Sequence, residues 1–217
     1  MRSNKCFVWA AVIAVLCVGG TLQAAVTFEF TGISNNNPDD VAIGEAQLFM
    51  DVSDAGNNEV LFTFRNKGPE DCVITAIYFH DERGVLTGIT NIAGSEGVIF
   101  SEDATPGNLP GGRGLDPAFV ATASADADQP GGGPNASGVA PEKWVDITMG
   151  IVEGYSYDDV LAALTPTFPN LRVGLHVTAF ESGGSESFVT VVPAPGAIVL
   201  VGIGTTLVGL LRRRQSL

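Results

Sequence analysis

Residues 54–66 read Asp54-Ala55-Gly56-Asn57-Asn58-Glu59-Val60-Leu61-Phe62-Thr63-Phe64-Arg65-Asn66. The second part, from Glu59, is rich in the β-branched and aromatic residues that suit a pleated, half-buried surface. The first part is a tight Gly/Asn connection. Before it, Val41 to Asp51 reads as another β-rich run. Two such runs joined by a Gly/Asn turn predict a hairpin, and with it an antiparallel sheet.

The same grammar continues in both directions. Upstream, Val26-Thr27-Phe28-Glu29-Phe30 alternates apolar and polar residues and stops at Thr31-Gly32. Asn35 to Asp40 reads as a loop by composition. Downstream, Lys67 to Asp71 is a turn and Cys72 to Asp81 a long strand. Shorter strands are expected near Leu86 to Ile92, Val98 to Ser101 and Phe119 to Ser124. Gln129 to Pro141 is a Gly/Pro-rich irregular loop. Lys143 to Ile151, Leu171 to Phe180 and Glu186 to Val192 read as strands. Ser156 is placed to cap one short helix through Leu164, with Asp158 and Asp159 in its first turn. About nine strands joined by hairpins and loops predict an all-β fold, an antiparallel β-sandwich of jelly-roll-like form.

Charge divides the chain into three. Of 217 residues, 11 are Lys or Arg and 24 are Asp or Glu. Arg2 and Lys5 lie in the first 24 residues and Arg212, Arg213 and Arg214 in the last six. No acid precedes Ala25 or follows Pro195. The body between therefore carries six basic residues against all 24 acids. Such a body repels nucleic acid and anionic lipid and suits a soluble, extracellular domain. Cys6 and Cys17 fall in the leader, which leaves Cys72 without a partner and reads it as a small core hydrophobe.

Residues 1–24 follow the plan of a secretory signal peptide: a basic start, an apolar run from Phe7 to Val18, Gly19-Gly20, and a cut between Ala24 and Ala25. Residues 25–192 form the exported domain. Residues 193–217 begin with Pro193-Ala194-Pro195, continue as an uncharged run over 196–211 and end in the basic stop 212–214. As a helix that run is roughly 24 Å long, against a hydrocarbon core of ~30 Å. Arginines directly after such a span mark the cytoplasmic side, so the body would be exported across the inner membrane.

This order of proline motif, apolar helix and terminal arginine cluster resembles the PEP-CTERM sorting signal, with Ala194 where the family has glutamate. The resemblance implies recognition and processing by an exosortase, a membrane-embedded enzyme that handles the tail. It also implies transient anchoring through the C-terminal helix, then delivery to the cell surface or extracellular matrix. The body also looks like cargo domains of that family in Val60-Leu61-Phe62-Thr63-Phe64, Asn108-Leu109-Pro110-Gly111-Gly112 and Ser185-Glu186-Ser187-Phe188. Those domains have no assigned activity to carry over.

No motif for a serine nucleophile, a zinc protease, a redox dithiol or a phosphate loop is present, and no enzymatic activity or cofactor is expected. His80 and His176 read as structural histidines; on a regular strand His80 shares a face with Ile74, Ala76 and Tyr78. Asp51, Asp54, Asn57, Asn58 and Glu59 gather oxygen donors of the kind calcium takes, but without EF-hand spacing, and read as turn chemistry. Asp126 and Asp128 read likewise. Glu142, Asp146 and Glu153 are the carboxylates for a glycosidase alternative. Trp144, Tyr155 and Tyr157 are candidates for a sugar-stacking platform, which would make the domain a carbohydrate-binding module acting in exopolysaccharide.

Overall fold

The computed structural model describes residues 25–132, 136–165 and 171–191. The readings made for the leader and for Pro193, Ala194, Pro195, the 196–211 helix and Arg212–Arg214 lie outside these residues. Among the described residues no helix is long and apolar enough to cross a membrane.

The chain runs β1 (Val26–Gly32), α1 (Pro38–Gln47), β2 (Leu48–Gly56), β3 (Glu59–Asn66), β4 (Val73–Asp81), β5 (Leu86–Gly94), β6 (Phe100–Glu102), β7 (Ala123–Ala127), β8 (Trp144–Ile151), α2 (Tyr157–Ala163), β9 (Leu171–Thr178) and β10 (Glu186–Val191), with a single 3-10 turn at Gly112–Gly114. The fold is all-β and antiparallel. The Gly/Asn hairpin is β2–β3: Gly56 pairs with Glu59, and Asn57 and Asn58 between them both have positive φ, 52° and 61°. That is the two-residue turn whose twist matches the strands it joins.

Where two separate sheets were expected, all ten strands belong to one, in the order β5-β8-β3-β2-β1-β10-β9-β4-β7-β6. The sheet curls into a nearly closed barrel. Phe79 of β4 meets Phe62 and Phe64 of β3 edge-on, at 5.1 and 6.1 Å between ring centroids, although four strands lie between β3 and β4 in the sheet. Inside sit Phe28, Leu48, Met50, Val60, Ile77, Ile147, Leu175 and Phe188, all buried.

There are two helices where one was expected. Val41 to Gln47 is helix, not strand. The side chain of Asn37 accepts from the Asp39 N–H at 3.0 Å, Pro38 opens the first turn, and Asp39 and Asp40 follow. These signals start a helix whatever the apolar content behind them. Gly44 then lies flat on the Phe188 ring, where a methyl group would overlap it. The second helix is as read, with a capping box in which Ser156 and Asp159 each satisfy the other's backbone N–H.

Residues 103–122 do not form the expected strand near Phe119. They leave the sheet and lie across the outer face of β4 and β9, where Ala104, Leu109 and Phe119 make a second small core with Ala76 and Tyr78. A bulge at Thr75 explains one more difference. The ladder slips between Ile74 and Ala76, so Ile74 faces the main core while Ala76, Tyr78 and His80 face this flap.

Candidate functional site

Two hollows of the described surface gather polar and charged side chains, and both lie towards the end of the sheet where β1 and β3 finish and β8 and β10 start. The first is built where β3 ends and β8 begins. Arg65 and Trp144 are direct partners in the β3–β8 ladder. With Asn66, Lys67, Glu142 and Lys143 they line a cleft of about 270 Å³. Arg65 Nε pairs with Asp51 Oδ2 at 3.0 Å. The Lys67 ammonium sits 3.7 Å above the Phe49 ring. Lys143 Nζ donates to the Glu96 carbonyl at 3.0 Å.

The floor of this cleft is fixed by a buried amide pair. Gln47 Nε2 donates to Asn66 Oδ1 at 2.9 Å and to the Glu70 carbonyl at 2.8 Å. Asn66 Nδ2 donates to the Cys72 carbonyl at 2.8 Å. The Cys72 thiol lies against the same amides, fully buried and unbridged, and burial pushes its pKa to about 11. It stays protonated and is a packing group, as read.

The proposed aromatic platform is not assembled. Trp144 is 37% exposed at the start of β8. Tyr155 and Tyr157 follow the end of that eight-residue strand, about 20 Å or more away at ~3.3 Å per residue. Tyr157 is a core residue whose hydroxyl donates to the Val52 carbonyl at 2.9 Å. Tyr155 is half-buried beneath the Arg83 guanidinium. Of the three, Trp144 is the one that lines the cleft.

The second feature is a polar pocket of about 400 Å³ between the β1–α1 loop, the flap and β10. Ser34, Asn36, Pro110, Gly111, His176, Ser185 and Ser187 line it. His176 Nδ1 and Ser187 Oγ are 3.3 Å apart, and burial holds the imidazole below its usual pKa, hence neutral near pH 7. Ser187 is only 1% exposed, so its hydroxyl is not presented to a substrate. Next to it the buried Glu186 accepts from Ser34 Oγ at 2.5 Å and from the Asn37 N–H at 2.6 Å.

The other carboxylates are likewise used locally. Asp51 accepts from Thr27 Oγ1, Asp54 from the Gly56 N–H, Asp126 from the Thr105 N–H and Asp128 from Ser101 Oγ. Asp146 accepts from Thr63 Oγ1 at 2.5 Å. Glu142 and Glu153 flank opposite ends of β8. His80 sits on β4 with Nδ1 2.7 Å from Arg172 Nη2, and Arg172 also donates to the carbonyls of Pro117 and Ala118 in the flap. Among the described residues no three His, Cys, Asp or Glu side chains converge as a metal site would require. The basic cleft itself went unread in the sequence. Its signal, Arg65-x-Lys67 and Lys143-Trp144, is split between two strands whose pairing no local pattern announces.

Compared with known protein families, curated proteins and solved structures, the chain matches none.

Proposed function

We propose that this chain is an exported, non-enzymatic protein of the cell surface or extracellular matrix, sorted and processed through its tail by an exosortase-type enzyme. The observation that supports it best is the place of β10. This strand is flanked on both sides, by β1 and β9, and it ends at Val191, two residues before Pro193. A tail beginning there is fastened to a central, doubly paired strand with almost no linker. Export follows the leader, with cleavage between Ala24 and Ala25, and Arg212, Arg213 and Arg214 form the cytoplasmic stop. The two halves of the curled sheet serve as the facing layers of a jelly-roll-like sandwich, with the chain passing repeatedly from one to the other.

Intact-mass measurement of the surface and membrane forms tests this reading. The surface form should begin at Ala25 and lack the peptide after roughly Pro195, and Pro193→Ala with Pro195→Ala should leave the uncut form in the membrane. A surface form ending in Leu217 would overturn the sorting reading and leave a plain C-terminal anchor. A second reading, a carbohydrate-binding module, is favoured by Trp144, the body's single tryptophan, standing exposed in a cleft.

A further inference from the structure

The acidic body has six basic residues, and three of them, Arg65, Lys67 and Lys143, line the cleft that holds Trp144. We propose that this cleft binds a carboxylated sugar unit of an extracellular polysaccharide, an inference that rests on the carbohydrate reading above and narrows it to acidic glycans. The indole ring supplies an apolar face for a sugar ring. The three cations outnumber Glu142 and the partly buried Asp51 that neighbours Arg65, so the cleft favours an anion on a molecule that otherwise repels one.

The donors are held in place and only partly used. Arg65 spends its Nε on Asp51, which leaves the terminal guanidinium nitrogens outside that pair. Lys143 spends one of three ammonium protons on the Glu96 carbonyl. Lys67 is held by a ring face, an interaction that consumes no proton. The backbone beneath Trp144 is clamped by Ser95, whose Oγ accepts the Trp144 N–H at 3.2 Å and whose N–H donates to the Trp144 carbonyl at 3.0 Å. Donors fixed before the ligand arrives lower the ordering cost of binding.

The cleft's place in the sheet argues for a glycan over a lipid headgroup. β10 ends heading the way of Val26, the 56–59 turn and Ile151, as the β1–β10, β1–β2, β2–β3 and β3–β8 registers require. The cleft lies at the other end of β8, away from the direction in which the chain leaves towards its anchor.

The two tryptophans of the chain are Trp9 and Trp144, so full-length protein carrying Trp9→Phe, held in non-ionic detergent, reports on the cleft alone. An oligogalacturonide should change its emission saturably, and maltohexaose should not. Raising salt from about 0.02 to 0.2 M should weaken the response severalfold. Arg65→Gln with Lys143→Gln should weaken it about tenfold or more, and the salt series on unaltered residues stands even if that variant folds poorly. Equal responses to both oligosaccharides would overturn the acidic-sugar inference and keep the carbohydrate reading. Silence to both would overturn the two together and leave sorting untouched. A response confined to vesicles of anionic phospholipid would assign the cleft to the membrane and overturn the proposal.

Discussion

β3 and β4 are strands of similar β character that end in different surroundings. Along β3 burial alternates: Val60, Phe62, Phe64 and Asn66 point inward, and Leu61, Thr63 and Arg65 are more exposed. Along β4 every residue from Val73 to Asp81 is buried. The inner faces are equivalent, since Phe62, Phe64 and Phe79 share one core. The difference is outside: solvent covers β3, whereas residues 103–122 cover β4 with Leu109 and Phe119. A strand's burial is thus set by what a distant segment does as much as by its own sequence.

Opening the core that β3 and β4 share should have the largest effect. Phe79→Ala should cost about 3–5 kcal/mol, because the site faces two other rings and cannot collapse; urea unfolding measures it. A loss under about 1 kcal/mol would mean the two halves do not close on each other. The covered face is the next test. Gly174 of β9 lies under Leu109, and an added Cβ would stand 2.6 Å from Leu109 Cδ2. Gly174→Ala should therefore destabilise by about 1–3 kcal/mol, and Leu109→Ala by about 2–3 kcal/mol. If both are neutral, the flap does not rest on the sheet. On the open face Thr63→Ala removes the bond to Asp146 together with one methyl group, and should cost about 1 kcal/mol.

The same contrast marks what was legible. β1, β3 and β8 were readable because one face meets water and imposes the period-two pattern. The β2–β3 turn was readable because Asn tolerates positive φ. The bulge at Thr75 was not, since β4 is buried on both faces and carries no alternation to reveal a slip. Helix α1 is hidden although Asn37-Pro38-Asp39-Asp40 announces a start, because Val41, Ile43, Leu48 and Phe49 look like one apolar run that continues into β2. Phe119 looked like strand but fills the flap's own core. At the site, the sequence groups Trp144 with Tyr155 and Tyr157, and the structure gives it different company. Tyr155 and Tyr157 are near it in sequence and a strand's length away in space, whereas Arg65 and Lys67 are distant in sequence and beside it.

The smallest expected effect also separates the halves. The chain has two histidines, His80 on β4 and His176 on β9, both on the outer side of the covered half. Burial, and for His80 also the Arg172 cation, holds each below the usual 6.5, while Glu82 and Asp81 pull His80 the other way. Because the folded pKa is the lower one, the unfolded chain takes up the proton first as pH falls. The stability from neutral imidazole is therefore complete above about pH 6.5 and is lost on acidification towards the folded value. Melting temperature should be flat from about pH 7 to 8 and should begin to fall below about 6.5, before most carboxylates titrate. His80→Gln keeps an oxygen acceptor for Arg172 and cannot be charged, so it should flatten the early part of that fall and leave the share due to His176. A variant whose profile overlays the wild type would show that the contact between Arg172 and His80 does not sense protons, and would move the acid sensitivity to the carboxylates of both halves alike.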